Sequence, residues 1–321
     1  MLIVLYSLGV LLGLYGIVKG ADWLVDGSSA LARKFRITEV VIGLTIVAFG
    51  TSMPEFVVSL FASLNGSGDM SVGNVMGSNI FNSLVILGAT AFVAMVPVGR
   101  RALYVDIPWS ILAALACWTV CFDMPLWHKP DNELSRLSAG ILLVVFFVFM
   151  VYNYWLARRS RRAMEVVESN IPNRTILLQI VGGLVALVVS GRVMVNCASE
   201  VARLLHISEA VIALTIVAGG TSAPELVTSI IAARKGRLEM AIGNAIGSNV
   251  FNVFFVLGLA GLISPMKIAD ISDVDILLFV GGPILLWLFA WLFRRISRWM
   301  GALLVLVYLC YLVYLVRAAI A

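Results

Sequence analysis

Charge is scarce in this sequence. Of its 321 residues only 13% are Asp, Glu, Lys or Arg, while 61% are hydrophobic. Soluble globular proteins carry about a quarter charged residues. The shortfall excludes a soluble domain, a disordered chain and a nucleic-acid-binding arm. There are two histidines and four cysteines. Cys117, Cys121, Cys197 and Cys310 all lie inside apolar stretches and form no CxxC pair. This argues against a zinc, haem or iron–sulfur site and reads the thiols as small core residues. No cofactor is expected. Low-complexity segments are missing, and the longest polar connection, Arg158 to Arg174, is too short to fold alone. No cleavable leader is read at Met1-Leu-Ile-Val, which lacks a basic flank; the first apolar segment runs on past Lys19.

What remains is long apolar runs. A membrane-spanning helix needs about 20 predominantly apolar residues. Ten such segments are legible, at 2–31, 38–64, 70–95, 103–122, 136–157, 174–204, 208–233, 239–264, 274–293 and 299–317. The predicted fold is therefore an all-α polytopic membrane protein of ten transmembrane helices, with the lipid bilayer as its surroundings. Basic residues sort between alternate loops. Sixteen fall on one side: Arg33, Lys34, Arg36, Arg100, Arg101, Arg158, Arg159, Arg161, Arg162, Arg174, Arg234, Lys235, Arg237, Arg294, Arg295 and Arg298. Five fall on the other: Lys129, Arg136, Arg203, Lys267 and Arg317. Basic loops stay in the cytoplasm, so both termini are expected outside.

The chain repeats itself at an offset of 170 residues. Leu44–Gly88 aligns with Leu214–Gly258 without a gap, and 24 of 45 positions are identical. LTIVAFGTSMPEFVVS matches LTIVAGGTSAPELVTS, and GNVMGSNIFN matches GNAIGSNVFN. Five spans per copy is an odd number, so the second copy enters the membrane from the opposite face, as in many secondary transporters. The predicted division is a first five-helix repeat over 1–157, a cytoplasmic linker over 158–173 and a second, inverted repeat over 174–321. A duplication kept only for packing would preferentially retain apolar positions, whereas many of the retained residues are polar and lie at bilayer depth.

Each copy buries a glutamate in an apolar span, Glu55 and Glu225. A charge at the bilayer centre costs at least about 2.5 kcal/mol. No Lys or Arg lies near either glutamate in sequence, so a transported cation can supply the missing charge. The alternative is a structural pair with the distant Lys19 or Arg192. Pro54 and Pro224 lack an N–H and break the helical ladder one turn back. Gly50, Thr51 and Ser52, and Gly220, Thr221 and Ser222, occupy that turn and offer carbonyls and hydroxyls. Irregular backbone at this depth is tolerated where it lines a polar cavity. In the partner blocks Asn74, Ser78 and Asn82 recur at i, i+4 and i+8, as do Asn244, Ser248 and Asn252, so each set stays near one helix face. Interhelical hydrogen bonding is the bland alternative; Asn82 and Asn252 are the stronger ligand candidates. Asn79 and Asn249 point elsewhere. Oxygen-only donors suit hard cations such as Ca²⁺ and Na⁺. Lys19 and Asp22, at i and i+3, read as a local ion pair. Thr38-Glu39 and Ser208-Glu209 read as helix starts, and His128 and His206 as solvated loop residues.

The paired G-T-S-x-P-E and G-N-x-x-G-S-N-x-F-N blocks resemble the two α-repeats of the calcium/cation antiporter superfamily, and within it the prokaryotic sodium/calcium exchangers. The resemblance implies ten spans in an inverted 5+5 arrangement. It implies that Glu55, Glu225, Asn82 and Asn252 surround the ions. Thr51, Ser52, Ser78, Thr221, Ser222 and Ser248 are implied as further ligands, with carbonyls from Ala48 and Ala218. Some relatives carry Asp where this chain has Asn252. The implied mechanism is alternating access, with spans 1 and 6 sliding across a fixed eight-helix core.

The expectation is a secondary antiporter, not an enzyme, that exchanges Ca²⁺ for Na⁺ in the inner membrane of a prokaryote and works as a monomer. Ca²⁺/H⁺ exchange is the alternative within the class, because close carboxylates also compete for protons. A passive cation channel is the alternative from another class. An intramembrane enzyme is disfavoured by the lack of a nucleophile–base pair.

Overall fold

The computed structural model describes residues 2–122, 132–163, 171–205, 218–269 and 271–320. Twelve helices are named in chain order. In the first half they are α1 (Leu2–Phe35), α2 (Glu39–Thr51), α3 (Met53–Leu64), α4 (Gly68–Val93), α5 (Ala102–Cys121) and α6 (Arg136–Ala163). The second half has α7 (Asn173–Leu204), α8 (Ala218–Thr221), α9 (Ala223–Arg234), α10 (Leu238–Ile263), α11 (Asp273–Phe293) and α12 (Arg298–Ile320). Among the described residues eight helices are long and apolar enough to cross a membrane, and the bent pair α2–α3 makes nine. The expected span over 208–233 is described only from Ala218 onward; His206, Ser208-Glu209 and His128 lie outside the described residues. The repeat offset survives in the elements themselves: α3 and α9, and α4 and α10, differ by 170 residues at both ends.

One boundary differs from the sequence reading. Helix α6 continues to Ala163, six residues into the segment read as a linker. Arginine is a good helix former, and here the arginines also find rings to cover. The Arg158 guanidinium lies 5.2 Å from the Tyr154 ring and that of Arg159 lies 5.1 Å from the Trp155 ring.

Loops of like parity meet. Strand β1 (Val96–Pro97), after the third expected span, pairs with β4 (Arg295–Ile296), after the ninth. Strand β2 (Glu133–Leu134), after the fourth, pairs with β3 (Met266–Lys267), after the eighth. At the basic end Arg237 pairs with Glu39 at 3.0 Å, and Arg101 reaches Asp106 at 3.3 Å and Thr38 at 3.3 Å. Thr38 is the residue before α2, as expected, but its hydroxyl does not cap the helix.

The expected Lys19–Asp22 pair is replaced by a longer-range one. Lys19 lies over the Tyr15 ring, and Lys235 takes both acids, at 2.8 Å from Asp22 and 2.8 Å from Asp26. Burial lowers the proton affinity of the Lys235 ammonium, but these two carboxylates more than offset it and leave the group above its ordinary range. Local spacing pointed to Lys19, but only Lys235 faces both Asp22 and Asp26, which lie one turn apart on α1.

Helices α4 and α10 form the centre, with 78% of each apolar window enclosed by protein, whereas α1 has 11% enclosed. Helix α1 lies antiparallel along α7. Gly9, Gly13, Gly16, Gly20 and Gly27 of α1 face Cys197, Met194, Ser190, Gly183 and Ile180 in that order. Small residues let the two backbones approach, the usual way apolar helices associate in lipid. A Cβ on Gly183 would sit 2.7 Å from the Gly20 carbonyl oxygen. Gly183→Ala must therefore push the pair apart, at a cost of about 1–3 kcal/mol. The expected result is a lower unfolding midpoint in detergent. Gly281→Ala, whose Cβ meets nothing within 4 Å among the described residues, should leave it unchanged.

Candidate functional site: a buried oxygen cluster

The G-T-S-x-P-E segments fold as two helices with a break between them. In the first repeat α2 stops at Thr51, Ser52 takes φ −83° and ψ 9°, and α3 restarts at Met53 with the axis turned by 49°. Pro54 has no N–H for the Gly50 carbonyl, which is why the ladder fails here. Ser222 repeats the conformation at φ −88° and ψ 6°, between α8 and α9. Glu55 and Glu225 thus fall in the first turn of a helix, where the helix dipole favours a carboxylate.

S-x-x-E at a helix start normally makes a capping box, with the serine bonding its own helix. Neither serine does so. Instead the pairs are crossed. The Ser52 hydroxyl donates to Glu225 Oε1 at 2.8 Å, and the Ser222 hydroxyl donates to Glu55 Oε1 at 2.9 Å. Both glutamates, and both serines, are fully buried. The Ser78 hydroxyl stands 3.5 Å from Glu55 Oε1. The Thr51 hydroxyl lies 3.1 Å from Asn244 Oδ1 and 3.1 Å from the Val47 carbonyl. Asn74 and Asn244 act as struts. Asn74 Nδ2 donates to Ser59 Oγ and to the Glu55 carbonyl; Asn244 Nδ2 donates to Ser229 Oγ and to the Glu225 carbonyl. These two asparagines therefore brace the glutamate helices α3 and α9.

The second oxygen of each glutamate has no protein partner among the described residues. The same holds for Asn252 Oδ1, Ser248 Oγ and both polar atoms of Asn82. Unpaired polar groups in a protein interior are rare and costly. These six fall on candidate ligand residues of both repeats, while seven others are scattered over Ser28, Ser29, Asp106, Gln179, Thr228, Asn249 and Ser297. Asn82 and Asn252 sit where the helices widen. Asn82 opens a π-helical segment in α4, and Asn252 lies in another in α10; such bulges frequently mark functional sites. Of the remaining candidates, Thr221 is buried, and the Ala48 carbonyl accepts the Ser52 N–H at 3.0 Å with the Thr51 hydroxyl 3.4 Å away. Ala218 begins α8. Lys19 and Arg192 form no ion pair with either glutamate, so the structural-pair alternative does not hold among the described residues.

Helix α7 covers both breaks. Leu184 fills the notch at Gly50 and Val195 the notch at Gly220. Beside them lies a mostly apolar cavity of about 590 Å³. Phe49 and Phe56 close the first repeat by packing on Phe251 and Phe255 of α10, with ring centroids 5.1 and 5.6 Å apart. Among the described residues no three of His, Cys, Asp and Glu converge, so the cluster is two carboxylates with neutral oxygens around them.

The chain as a whole is similar to known proteins. A family model for the sodium/calcium exchanger protein matches residues 5–155 and 175–317. The sodium/calcium exchanger MaX1 of Methanosarcina acetivorans is 32% identical, covering 95% of this chain and 97% of its own. The inner membrane protein YrbG of Escherichia coli is 36% identical over 84% of this chain and 85% of its own. Among solved structures, the sodium–calcium exchanger NCX_Mj soaked with 10 mM Na⁺ and zero Ca²⁺ superposes with a TM-score of 0.81. It is 31% identical and covers 96% of this chain and 98% of its own.

The crossed serines carry a prediction independent of any activity. Removing a hydrogen bond to a charged buried group costs about 1.5–3 kcal/mol. Ser52→Ala and Ser222→Ala should destabilise the protein by similar amounts, read as matching drops in unfolding midpoint. If one serine only capped its own helix, its variant would lose about half as much.

Proposed function

From its membership of the sodium/calcium exchanger family, to which this chain belongs as a multi-span membrane transporter of cations, we propose that it is a secondary antiporter exchanging Ca²⁺ for Na⁺. The observation that carries this reading is the pair of fully buried carboxylates, Glu55 and Glu225, each with one oxygen held by a serine and one oxygen unpartnered. Ca²⁺ takes six to eight oxygen ligands at about 2.3–2.6 Å. The unpartnered atoms of Glu55, Glu225, Asn82, Asn252 and Ser248 supply part of that shell. Thr51, Ser52, Ser78, Thr221, Ser222 and the carbonyls of Ala48 and Ala218 are assigned the rest. Na⁺ uses the same hard oxygens, which supports competition for one cluster.

The reading includes ten spans in two inverted five-helix repeats. The antiparallel α1–α7 pair and the like-parity loop pairings support it. With the basic loops in the cytoplasm, both termini face outside, and the protein sits in a prokaryotic inner membrane. Alternating access follows from the same layout. Helices α4 and α10 are enclosed, and α1 with α7 forms a separate layer joined by glycine notches and lying across both breaks. Sliding that layer moves Leu184 and Val195 past Gly50 and Gly220 and exposes the cluster to one side at a time.

Two experiments decide it. In proteoliposomes, Glu55→Gln and Glu225→Gln should each reduce ⁴⁵Ca²⁺ uptake to background while the protein still inserts; near-normal uptake would make that glutamate structural. With the unaltered protein, an outward Na⁺ gradient should drive Ca²⁺ in. Equal uptake driven by a pH gradient without Na⁺ would place the protein among Ca²⁺/H⁺ exchangers. Uptake without any counter-ion would make it a channel.

A further inference from the structure

Asn79 and Asn249 are repeat mates, 170 residues apart, each 3% exposed, yet they do different things. The Asn79 amide Nδ2 donates to the backbone carbonyl of Asn249 at 3.1 Å. A carbonyl accepts only, so this contact fixes which end of the Asn79 amide is nitrogen. Its oxygen must then face the other way. It does, and Asn252 Nδ2 donates to Asn79 Oδ1 at 3.2 Å. The orientation of one amide thereby dictates the next. Asn252 is bound by its nitrogen and left with a buried oxygen that no described residue partners.

The other half lacks this chain of contacts. Asn249 turns its Nδ2 to Ser83 and Ser110, both at 3.0 Å. Asn82, the mate of Asn252, has no partner at either polar atom among the described residues. So the two candidate amides differ: residue 252 is held by its nitrogen with its oxygen unpartnered, and neither polar atom of residue 82 is held by a described residue. The sequence, with Asn at both positions, gives no hint of it.

We propose that Asn79 is a positioning residue for ion binding, which holds the Asn252 amide with its carbonyl oxygen presented to the cation and fixes residue 252 as a neutral ligand. The proposal rests on the exchanger reading. It follows from acceptor chemistry: a carboxylate at 252 would set an oxygen against Asn79 Oδ1, whereas an amide nitrogen completes the bond. Without Asn79, Asn252 can turn its nitrogen toward the cation, where a donor repels it.

The test is a double-mutant cycle read by Ca²⁺ binding to the purified full-length protein in Na⁺-free detergent, by titration calorimetry. Asn79→Leu should weaken Ca²⁺ binding about tenfold or more, and Asn252→Ala should weaken it comparably. The double variant should bind no worse than Asn252→Ala alone, because Asn79 acts only through Asn252. A merely structural Asn79 would lower the unfolding midpoint and leave the dissociation constant of the surviving protein unchanged. That result, or a double variant whose losses multiply, would overturn the proposal. Should Asn79→Leu fail to fold, the same cycle is run with Asn79→Ser, whose hydroxyl and a water can bridge part of the gap; a smaller, still non-additive loss is expected, and multiplying losses again overturn it. The unaltered protein and Glu55→Gln separate the two levels. If the unaltered protein binds no Ca²⁺, or Glu55→Gln binds equally well, the exchanger reading fails and the Asn79 role falls with it. If those controls behave and the cycle is additive, only the Asn79 role is lost.

Discussion

Two carboxylates are buried at bilayer depth with no cationic side chain paired to them among the described residues, and the rest of the structure is organised around making that tolerable. Each gains one hydroxyl from the opposite repeat, Ser222 for Glu55 and Ser52 for Glu225. A buried charge is costly unless it is paired and hydrogen-bonded. The crossing also ties the two helix breaks together. A shift of α3 moves Glu55 away from Ser222, and a shift of α9 moves Glu225 away from Ser52. Ser52 and Ser222 each serve the glutamate of the other repeat, so half the chain alone would lack both of these bonds.

The near-symmetry is broken in specific places. Phe49 of the first repeat packs edge-on against Phe251 and Phe56 packs tilted against Phe255; their mates are Gly219 and Leu226, which have no ring. These contacts join α2 and α3 to α10, and Phe146 brings in α6, 5.1 Å from Phe255 between centroids. Aromatic pairs add about 0.5–1.5 kcal/mol beyond their buried area. The first break is therefore more firmly seated on the central helices than the second. On the alternating-access reading, two identical hinges would prefer neither face, and this unequal packing would set which arrangement is lower in free energy.

Much of this was legible in the sequence because its signals are local. Apolar length located the helices, with described boundaries within a few residues for most. The 170-residue offset named Glu55, Glu225, Asn82 and Asn252 together, and all four carry unpartnered buried atoms. What was not legible depends on contacts between distant segments. S-x-x-E reads as a self-capping helix start, and only the fold diverts each serine to the other half. Spacing suggested Lys19 for Asp22, since periodicity reports neighbours on one helix and is blind to Lys235, 213 residues away. Asn79 and Asn249 looked alike because identical residues in a repeat carry no sign of which contact each will make. The π-helical segments at Asn82 and Phe251 leave no sequence signature that period 3.6 detects.

The division of each carboxylate into a held oxygen and an unpartnered one bears on why such a site would exchange rather than leak. Oxygens fixed by Ser52 and Ser222 need not reorganise when a cation arrives, so the ligand geometry is paid for in folding. The unloaded cluster, with both glutamates ionised and Asn252 neutral, carries a formal charge of −2. Moving the apolar layer of α1 and α7 across that charge would expose it to lipid-like surroundings, at a cost of several kcal/mol. One Ca²⁺ or two Na⁺ reduce the formal charge to zero and remove most of that cost. On the proposed exchanger reading, the slide would then be accessible mainly when the cluster is loaded, and each crossing would return with a cation aboard. A neutral amide at 252 matters to this balance. A third ionised acid would leave the Ca²⁺-loaded cluster at −1 and restore part of the barrier for the divalent cargo, while favouring a third Na⁺. On that reading, coupling follows from the count of carboxylates in a dry site, which here is two.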